Sequence, residues 1–141
     1  MAHWEQRLAG AGCRITASRR AVMQVLEEVG VALTPQEILE RALPIHPELG
    51  LVTVYRTVKL FEELQLAYRV HRNDGCHGYV LASPGHRHHV VCQGCGRVVE
   101  FPGSEDLKAL IVQVERTTRY RVQTHLLQLF GLCPDCQEAG L

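Results

Sequence analysis

The chain has 141 residues, of which 46% are hydrophobic, and it carries 15 basic and 15 acidic side chains. This balance excludes the strongly basic composition of an indiscriminate nucleic-acid binder, although 13 of the basic residues are arginine, which suits bidentate contacts with phosphate and guanine. No apolar run reaches the roughly 18 residues of a membrane-spanning helix, and residues 1–10 lack the apolar core of an export signal, so we expect a cytoplasmic protein that contacts no membrane.

The first half of the sequence predicts three helices. Thr16 precedes a run of apolar residues at helical spacing, which Gly30 ends. Residues 34–37, Thr-Pro-Gln-Glu, are typical of a helix start with a capping box, and Pro44 ends that second helix. Thr53 is expected to cap the third helix. The buried stripe of this third helix is predicted to consist of Val54, Val58, Phe61 and Leu64.

The second half of the sequence predicts mainly strands. An Asn-Asp-Gly turn at residues 73–75 separates two segments, 68–72 and 77–82, that are typical of a β-hairpin. Further strands are expected at residues 90–92, 97–101 and 121–130, with an amphipathic helix capped by Ser104 before the last of them. We therefore predict an α+β protein with two domains, a winged helix-turn-helix over residues 1–82 and a small α+β domain over residues 83–141.

Four of the six cysteines form two CxxC pairs, Cys92/Cys95 and Cys133/Cys136. Two intervening residues let one tight turn bring both thiolates to about 2.3 Å from a single Zn²⁺, and two such turns form a closed tetrahedral site. A closed site has no open coordination position, so we expect it to stabilise the fold. Disulfides or dithiol redox centres are the alternative, which four thiolates at matched spacing make less favourable.

The third helix presents polar side chains suited to the major groove. Arg56 could pair with guanine O6 and N7, and Tyr55 could contact a thymine methyl group or a phosphate. Lys59 and Arg19 would then hold the DNA backbone, with Thr53 at the start of the helix, and the hairpin would serve as the wing. The alternative is a helical interaction module whose polar residues are merely solvated.

A histidine cluster, residues 86–89, precedes the first CxxC pair. Alternate side chains of a strand share a face, so His86 and His88 point one way while His89 points the other. His125 could join His86 and His88 at one metal site, with Glu105 as a carboxylate ligand.

The opposite face of this strand suggests another site. Glu100 is a plausible partner of His89, but Arg87 on the same face cannot ligate a metal, so further ligands must come from elsewhere. We expect them to be Cys76 and His77 from the hairpin. His71 is a possible substitute across the turn, and the alternative for Cys76 is a small buried hydrophobic residue.

Taken together, these motifs resemble the ferric uptake regulator superfamily of metal-dependent bacterial repressors over nearly the whole chain. The resemblance rests on Leu-Val-Thr-Val-Tyr-Arg-Thr at 51–57, the histidines leading into Cys-Gln-Gly-Cys-Gly at 92–96, Val-Val-Glu-Phe at 98–101, and the segment from 125 to 136. It implies a homodimer formed through the C-terminal domain, a structural zinc at the four cysteines, and regulatory metal at the hinge between the domains. Metal would favour the dimer that binds a palindromic double-stranded DNA operator.

Several departures from the family pattern bear on the metal. Residues 31–34 lack the histidine of the iron sensors, residues 79–81 lack an acidic ligand, Arg87 replaces a ligand histidine, and Lys108 stands near where some members carry an acid. The remaining ligands are enriched in cysteine and histidine, which suits Zn²⁺ better than Fe²⁺ or Mn²⁺. The chain is therefore most similar to the zinc uptake regulator branch, with iron- or peroxide-responsive regulators as alternatives.

The resulting hypothesis is a zinc-responsive repressor of zinc uptake and homeostasis genes, with up to three Zn²⁺ per chain. We do not expect an enzyme, because no activated nucleophile or water-positioning carboxylate stands beside an evident pocket. A zinc-buffering module and a thiol oxidoreductase are the weaker alternatives. The regulatory ligands would be Cys76, His77, His89 and Glu100, and the additional site would use His86, His88, Glu105 and His125.

Overall fold

A computed structural model describes residues 2–103 and 107–141 of the chain. Helices occupy the first part, and a hairpin and a small mixed sheet follow. No helix in these ranges is long and apolar enough to cross a membrane. The elements in chain order are α1 (His3–Gly10), α2 (Ala17–Glu28), α3 (Pro35–Ala42), α4 (Leu51–Glu63), β1 (Ala67–His71), β2 (His77–Leu81), β3 (Arg87–Cys92), β4 (Val98–Pro102), α5 (Leu107–Thr118), β5 (Gln128–Gly131) and α6 (Pro134–Glu138).

The helices of the N-terminal domain pack around one core. Its largest fully buried side chains are Phe61, Leu8, Met23, Leu33, Ile38, Val22, Val54 and Val58. Trp4 of α1 packs on Phe61 with 6.4 Å between ring centroids, so the first helix closes the core beside α4. The buried residues of α2 and α4 follow the predicted stripes, which fixes the outward face of α4 as polar.

Two predicted helix starts are confirmed. The Thr16 hydroxyl accepts the Arg19 N–H at 3.2 Å at the start of α2. At the start of α3, the Thr34 hydroxyl accepts the Glu37 N–H at 3.2 Å, and the Glu37 carboxylate accepts the Thr34 N–H at 3.1 Å. This reciprocal pair satisfies two backbone donors that a helix end otherwise leaves open.

The predicted cap of the third helix is wrong. Helix α4 begins at Leu51, three residues earlier than expected, and Gly50 is its N-cap in an extended conformation. Thr53 therefore lies inside the first turn, where its carbonyl accepts the Thr57 hydroxyl at 2.7 Å. The helix consequently presents an additional exposed turn containing Leu51 and Val52.

The hairpin predicted after α4 is confirmed, and β1 with β2 is called the wing hairpin below. The two strands are antiparallel, in a register that extends from Ala67 opposite Leu81 to His71 opposite His77. Gly75 in the turn has φ +84°, a conformation that glycine adopts without strain. Leu33 extends the hairpin by two backbone hydrogen bonds to Tyr79, of 3.1 and 2.8 Å.

The C-terminal domain contains a three-stranded sheet of order β4-β3-β5. Strand β3 pairs antiparallel with β4 and parallel with β5. The expected strand over residues 121–130 is wrong, because residues 119–127 have no regular structure and β5 covers only Gln128–Gly131. Arg119 ends α5 with φ +65°, and the Glu115 carboxylate then accepts the Val122 N–H at 3.0 Å, which holds this segment near the helix rather than along the sheet.

Helix α5 is amphipathic as predicted, but none of its described side chains is buried within one chain. Leu110, Val112 and Val114 are all exposed. The expected cap Ser104 lies outside the described residues. An apolar face that the described residues leave unburied can make contact with another molecule.

We expect Thr34→Ala to lower the free energy of unfolding by about 1 kcal/mol, because it leaves the Glu37 N–H without its acceptor. Chemical denaturation monitored by circular dichroism would measure this loss. Thr124→Ala, an exposed position in the irregular 119–127 segment, is the control and should leave stability unchanged. Equal stability of Thr34→Ala and the control would contradict the role of the capping box.

Candidate metal centres and nucleic-acid surface

The four predicted zinc ligands converge on one point. The sulfurs of Cys92, Cys95, Cys133 and Cys136 lie within 4.8 Å of one another, and none of these cysteines forms a disulfide. The sulfurs of Cys95 and Cys133 are 3.7 Å apart. Four sulfurs about 2.3 Å from one ion at tetrahedral angles are about 3.8 Å apart, so the donor set fits Zn²⁺.

The polar surroundings of this cysteine cluster favour thiolate. The Cys92 sulfur accepts the backbone N–H groups of Cys133 and Cys95, at 3.3 and 3.5 Å, and these bonds lower the pKa of Cys92 to about 6. Hydrogen bonds to Cys133 and Cys92 raise the pKa of Cys136 to about 12. Opposite pKa shifts in two neighbouring thiols follow from the hydrogen bonds that close approach of the sulfurs produces, and four sulfurs arranged to hold one metal require the same close approach.

A second cluster brings together the three histidines predicted for the additional site. The ligand atoms of His86, His88 and His125 lie within 4.8 Å of one another, and the Nε2 atoms of His86 and His125 are 2.8 Å apart. His88 is buried, and its Nε2 has no hydrogen-bond partner among the described residues. Burial lowers the pKa of His88, as do the two neighbouring imidazoles, so its ring is neutral and its lone pair is free for a metal. The predicted fourth ligand, Glu105, lies outside the described residues.

Sequence reasoning missed the glycine that makes room for this histidine cluster. The Gly103 N–H donates to the His86 carbonyl at 2.7 Å, so the two backbones are in close contact. A Cβ atom at Gly103 would lie 2.0 Å from Cδ2 of the His86 ring. Only the pairing of β3 with β4 reveals this proximity, since the two residues are far apart in the sequence.

The hinge contains the other predicted pair. His89 Nε2 and Glu100 Oε1 are 3.9 Å apart, which is too far for a hydrogen bond. His89 Nε2 and Glu100 Oε2 are buried without partners in the described chain. Glu100 Oε1 accepts the Ser83 N–H at 3.1 Å, so this pair lies at the connection between the two domains. Burial lowers the pKa of His89, and the Glu100 carboxylate opposes that effect. These two buried atoms, which can each ligate a metal and have no hydrogen-bond partner among the described residues, are compatible with a cation between them.

The other two predicted regulatory ligands are elsewhere. Cys76 lies at the turn of the wing hairpin, where its N–H donates to the Asp74 carboxylate at 3.0 Å, and its side chain is exposed. His77 pairs with His71, with 4.4 Å between ring centroids. The hinge cavity beside His89 and Glu100 is instead lined by residues near the other end of β2, about 13 Å further along the strand. Cys76 and His77 do not line that cavity, although His77 and His71 share a larger neighbouring cavity of about 470 Å³ with His89.

The five predicted DNA-contacting residues lie at the ends and on the outer face of helices. Thr53, Tyr55, Arg56 and Lys59 are all exposed on α4, and Tyr55 is 54% exposed. The Arg19 guanidinium in the first turn of α2 donates to the Arg14 carbonyl. Val52 lay outside the predicted helix, but it is on the same turn of α4 as Thr53 and is 63% exposed. One buried stripe and one exposed outer face are required of a recognition helix and are also found in amphipathic surface helices in general.

The fold and the clusters define a winged-helix protein with a metal-binding α+β domain. The model of the ferric uptake regulator family matches residues 10–130. The chain belongs to that family.

The relatives of this chain within the family are named for different metals or signals. The chain is 34% identical over 134 residues to the ferric uptake regulation protein of Legionella pneumophila, a match that covers 94% of this chain and 97% of that protein. It is 27% identical over 133 residues to the peroxide-responsive repressor PerR of Staphylococcus saprophyticus, covering 93% and 87% of the two chains. Among solved structures, a zinc uptake regulator complexed with zinc and DNA superimposes with a TM-score of 0.81 at 20% identity, covering 97% and 92% of the two chains. At this identity the structural likeness supports the fold alone.

We expect Gly103→Ala to weaken zinc binding at the His86/His88/His125 cluster by about tenfold or more, because the new methyl group displaces the His86 ring. Titration against a chelator of defined zinc affinity would measure the change, and the zinc held by the cysteines should remain. Gly131→Ala is the matched control, since a Cβ atom there meets nothing within 4 Å. Unchanged affinity in Gly103→Ala would mean that the His86 ring is not a ligand.

Proposed function

We propose that this metal-responsive transcriptional regulator is a zinc-responsive repressor of zinc uptake and homeostasis genes. The observation that carries this proposal is the His86/His88/His125 cluster, in which three imidazoles converge and the buried Nε2 of His88 has no partner in the described chain. An unpaired buried nitrogen is unfavourable unless a cation or water satisfies it. The cluster therefore supports a metal site that is separate from the cysteines.

The chemistry of the donors favours zinc. Imidazole and thiolate at low coordination number suit Zn²⁺, while Fe²⁺ and Mn²⁺ prefer more nitrogen and oxygen ligands in octahedral sites. Bound Zn²⁺ would supply a cross-link between the segments that precede two neighbouring parallel strands, since His86 precedes β3 and His125 precedes β5. The exposure of His86 and His125 would allow this ion to exchange with the surroundings, as a sensor requires.

The His89/Glu100 pair is the candidate for a third ion per chain. A cavity of about 90 Å³ adjoins the two side chains at the domain connection. Two protein ligands leave coordination positions for solvent, which is typical of a site that fills after the stronger ones. Cys76 and His77 are not proposed as ligands of this third ion, because hairpin geometry places them outside the cavity beside the His89/Glu100 pair.

We propose that α4 enters the major groove of double-stranded DNA. Tyr55 and Arg56 would contact bases, Lys59 and Arg19 would contact phosphates, and the exposed Val52 could contact a thymine methyl group. Because the net charge is zero, affinity depends on these local contacts rather than on the charge of the whole chain.

We further propose that the regulator acts in the cytoplasm as a homodimer on a palindromic operator. The support is the apolar face of α5, which is unburied in one chain. A two-fold dimer would present two α4 helices to half-sites one helical turn apart, about 34 Å. Zinc binding would favour that dimer if it bound the DNA-competent conformation more tightly, by about 1 to 3 kcal/mol for a typical allosteric coupling.

An iron-responsive regulator is the second candidate, favoured by the 34% identity with a ferric uptake regulation protein. Absence of the histidine before α3 and the three-imidazole donor set of the His86/His88/His125 cluster count against it. A peroxide-responsive regulator is a further candidate, favoured by the 27% identity with a peroxide-responsive repressor. Both candidates predict that Fe²⁺ rather than Zn²⁺ raises operator affinity at physiological free concentrations.

We expect operator affinity to rise at least fivefold when Zn²⁺ is added to protein whose cysteine cluster is already filled. Operators would be selected from random-sequence DNA with each metal present, and affinity measured by fluorescence anisotropy in free-metal buffers of Zn²⁺, Fe²⁺ and Mn²⁺. His88→Ala should abolish the zinc response, whereas His3→Ala, an exposed residue of α1, should retain it. A response to Fe²⁺ alone would establish the second candidate.

We expect Arg56→Ala to weaken specific DNA binding by about 1 to 3 kcal/mol and to leave zinc content unchanged. Loss of a bidentate contact to guanine would relax preference at one base pair, which competition with single-base operator variants would detect. Arg121→Ala, exposed in the C-terminal domain, is the control that removes the same charge. Equal losses in both variants would indicate a general charge effect instead of base recognition.

A further inference from the structure

The side-chain amide of Gln128 connects the C-terminal sheet to the wing hairpin. Its Oε1 accepts the His71 N–H at 2.9 Å, and its Nε2 donates to the His71 carbonyl at 2.7 Å. Both hydrogen bonds therefore reach the backbone of one residue, 57 positions away in the sequence. This two-point contact fixes the orientation of the amide as well as its distance.

The backbone of His71 is available for this contact because it faces the outer edge of the hairpin. The neighbouring Arg72 N–H donates to the Cys76 carbonyl at 2.8 Å, so Arg72 makes the inward contact of the ladder. In an antiparallel pair such residues alternate, which leaves the groups of His71 pointing away from β2. Gln128 thus occupies an edge that would otherwise be open to solvent.

Gln128 also lies between the two histidine-containing clusters. Its backbone is opposite His89 in the parallel ladder of β3 and β5. It follows His125 by three residues, at the end of the irregular segment 119–127. The His89 ring in turn packs edge-on against Tyr68 of β1, with 4.8 Å between centroids. Strand β1 therefore contacts His89 directly and, through Gln128, the segment that carries His125.

We propose that Gln128 is a positioning residue that transmits occupancy of the His86/His88/His125 cluster to the wing hairpin. A ligand at His125 fixes the segment that ends at Gln128, and the fixed segment holds the amide against His71. Strand β1 follows α4 after a short turn, in which the Leu66 N–H donates to the Phe61 carbonyl at 2.7 Å. The position of the hairpin is therefore coupled to the position of α4. The consequence for DNA rests on the function proposed above, whereas the link to the hairpin does not.

Hydrogen exchange of the His71 amide tests this link without DNA, by NMR of the ¹⁵N-labelled full chain with the cysteine cluster filled. In the wild type, Zn²⁺ at the histidine cluster should slow exchange at His71. In Gln128→Ala, exchange should be about five- to thirtyfold faster, as loss of one or two hydrogen bonds implies, and insensitive to zinc. Gln123→Ala, an exposed glutamine in the same segment, is the matched control and should behave as the wild type. Exchange at His71 that does not respond to zinc in the wild type would overturn the link.

Operator affinity provides the second measurement. The gain in affinity on filling the histidine cluster, at least fivefold in the wild type, should be lost in Gln128→Ala, with zinc still bound at the cysteine and histidine clusters at saturation. Gln128→Glu keeps the size and the acceptor but removes the donor, so it should give a smaller loss and provides a test if the alanine variant does not fold.

The two proposals fail in different ways. An operator response to zinc that is equal in Gln128→Ala and the wild type would leave the regulator intact and overturn the link. Absence of any operator response in the wild type would overturn the zinc-responsive function, while a zinc-dependent exchange rate at His71 would still support the link.

Discussion

The position of strand β3 is the constraint on which the remaining structure depends. This strand pairs with β4 on one side and β5 on the other, and it carries His88, His89 and Cys92. Its carboxyl end is held by the Cys92 sulfur, which accepts the N–H groups of Cys95 and Cys133. Because a strand alternates its side chains between two faces, fixing one end fixes which face each histidine takes.

The C-terminal domain has little apolar core to hold β3 by itself. Among its described residues the buried hydrophobic side chains are Val91, Cys92 and Cys136, and α5 contributes none. A domain of this size lies near the limit at which burial offsets chain entropy, and a metal bound by four thiolates then contributes folding free energy directly. The cysteine cluster therefore compensates for the missing core, and the exposed apolar face of α5 is where the proposed second protomer would add to it.

The features that sequence predicted well are local ones. The capping box at Thr34, the hairpin turn at Gly75 and the two CxxC pairs each depend on residues within a few positions of one another. The grouping of His86 with His88 also follows from strand periodicity, although the addition of His125 was an inference from two separate segments. In each case the chemistry of neighbouring residues decides the structure without information from distant parts of the chain.

The features that sequence did not predict depend on how elements are placed together. Gly103 and His86 become neighbours only through the pairing of β3 with β4, and Gln128 reaches His71 only through the pairing of β3 with β5. The prediction of Cys76 as a ligand did not take into account the length of β2, which separates the hairpin turn from the hinge. Sequence adjacency to a histidine indicates a possible ligand, but the direction of the strand decides whether the ligand reaches the site.

Several hydrogen bonds connect the two domains, beside an apolar contact of Val98 with Ala32, Val70 and Val80. The Val98 N–H donates to the Gly30 carbonyl at 2.9 Å, the Asn73 amide donates to the Cys92 carbonyl at 3.0 Å, and the Gln128 amide makes two hydrogen bonds with the His71 backbone. Each such bond contributes about 0.5 to 1.5 kcal/mol net, which is similar to the coupling free energy of an allosteric switch. A large apolar interface would fix the domain orientation beyond the reach of a bound ion. Hydrogen bonds made by the sheet in which β3 and β4 carry the candidate metal ligands leave the orientation of α4 adjustable by the free energy that one metal site can supply.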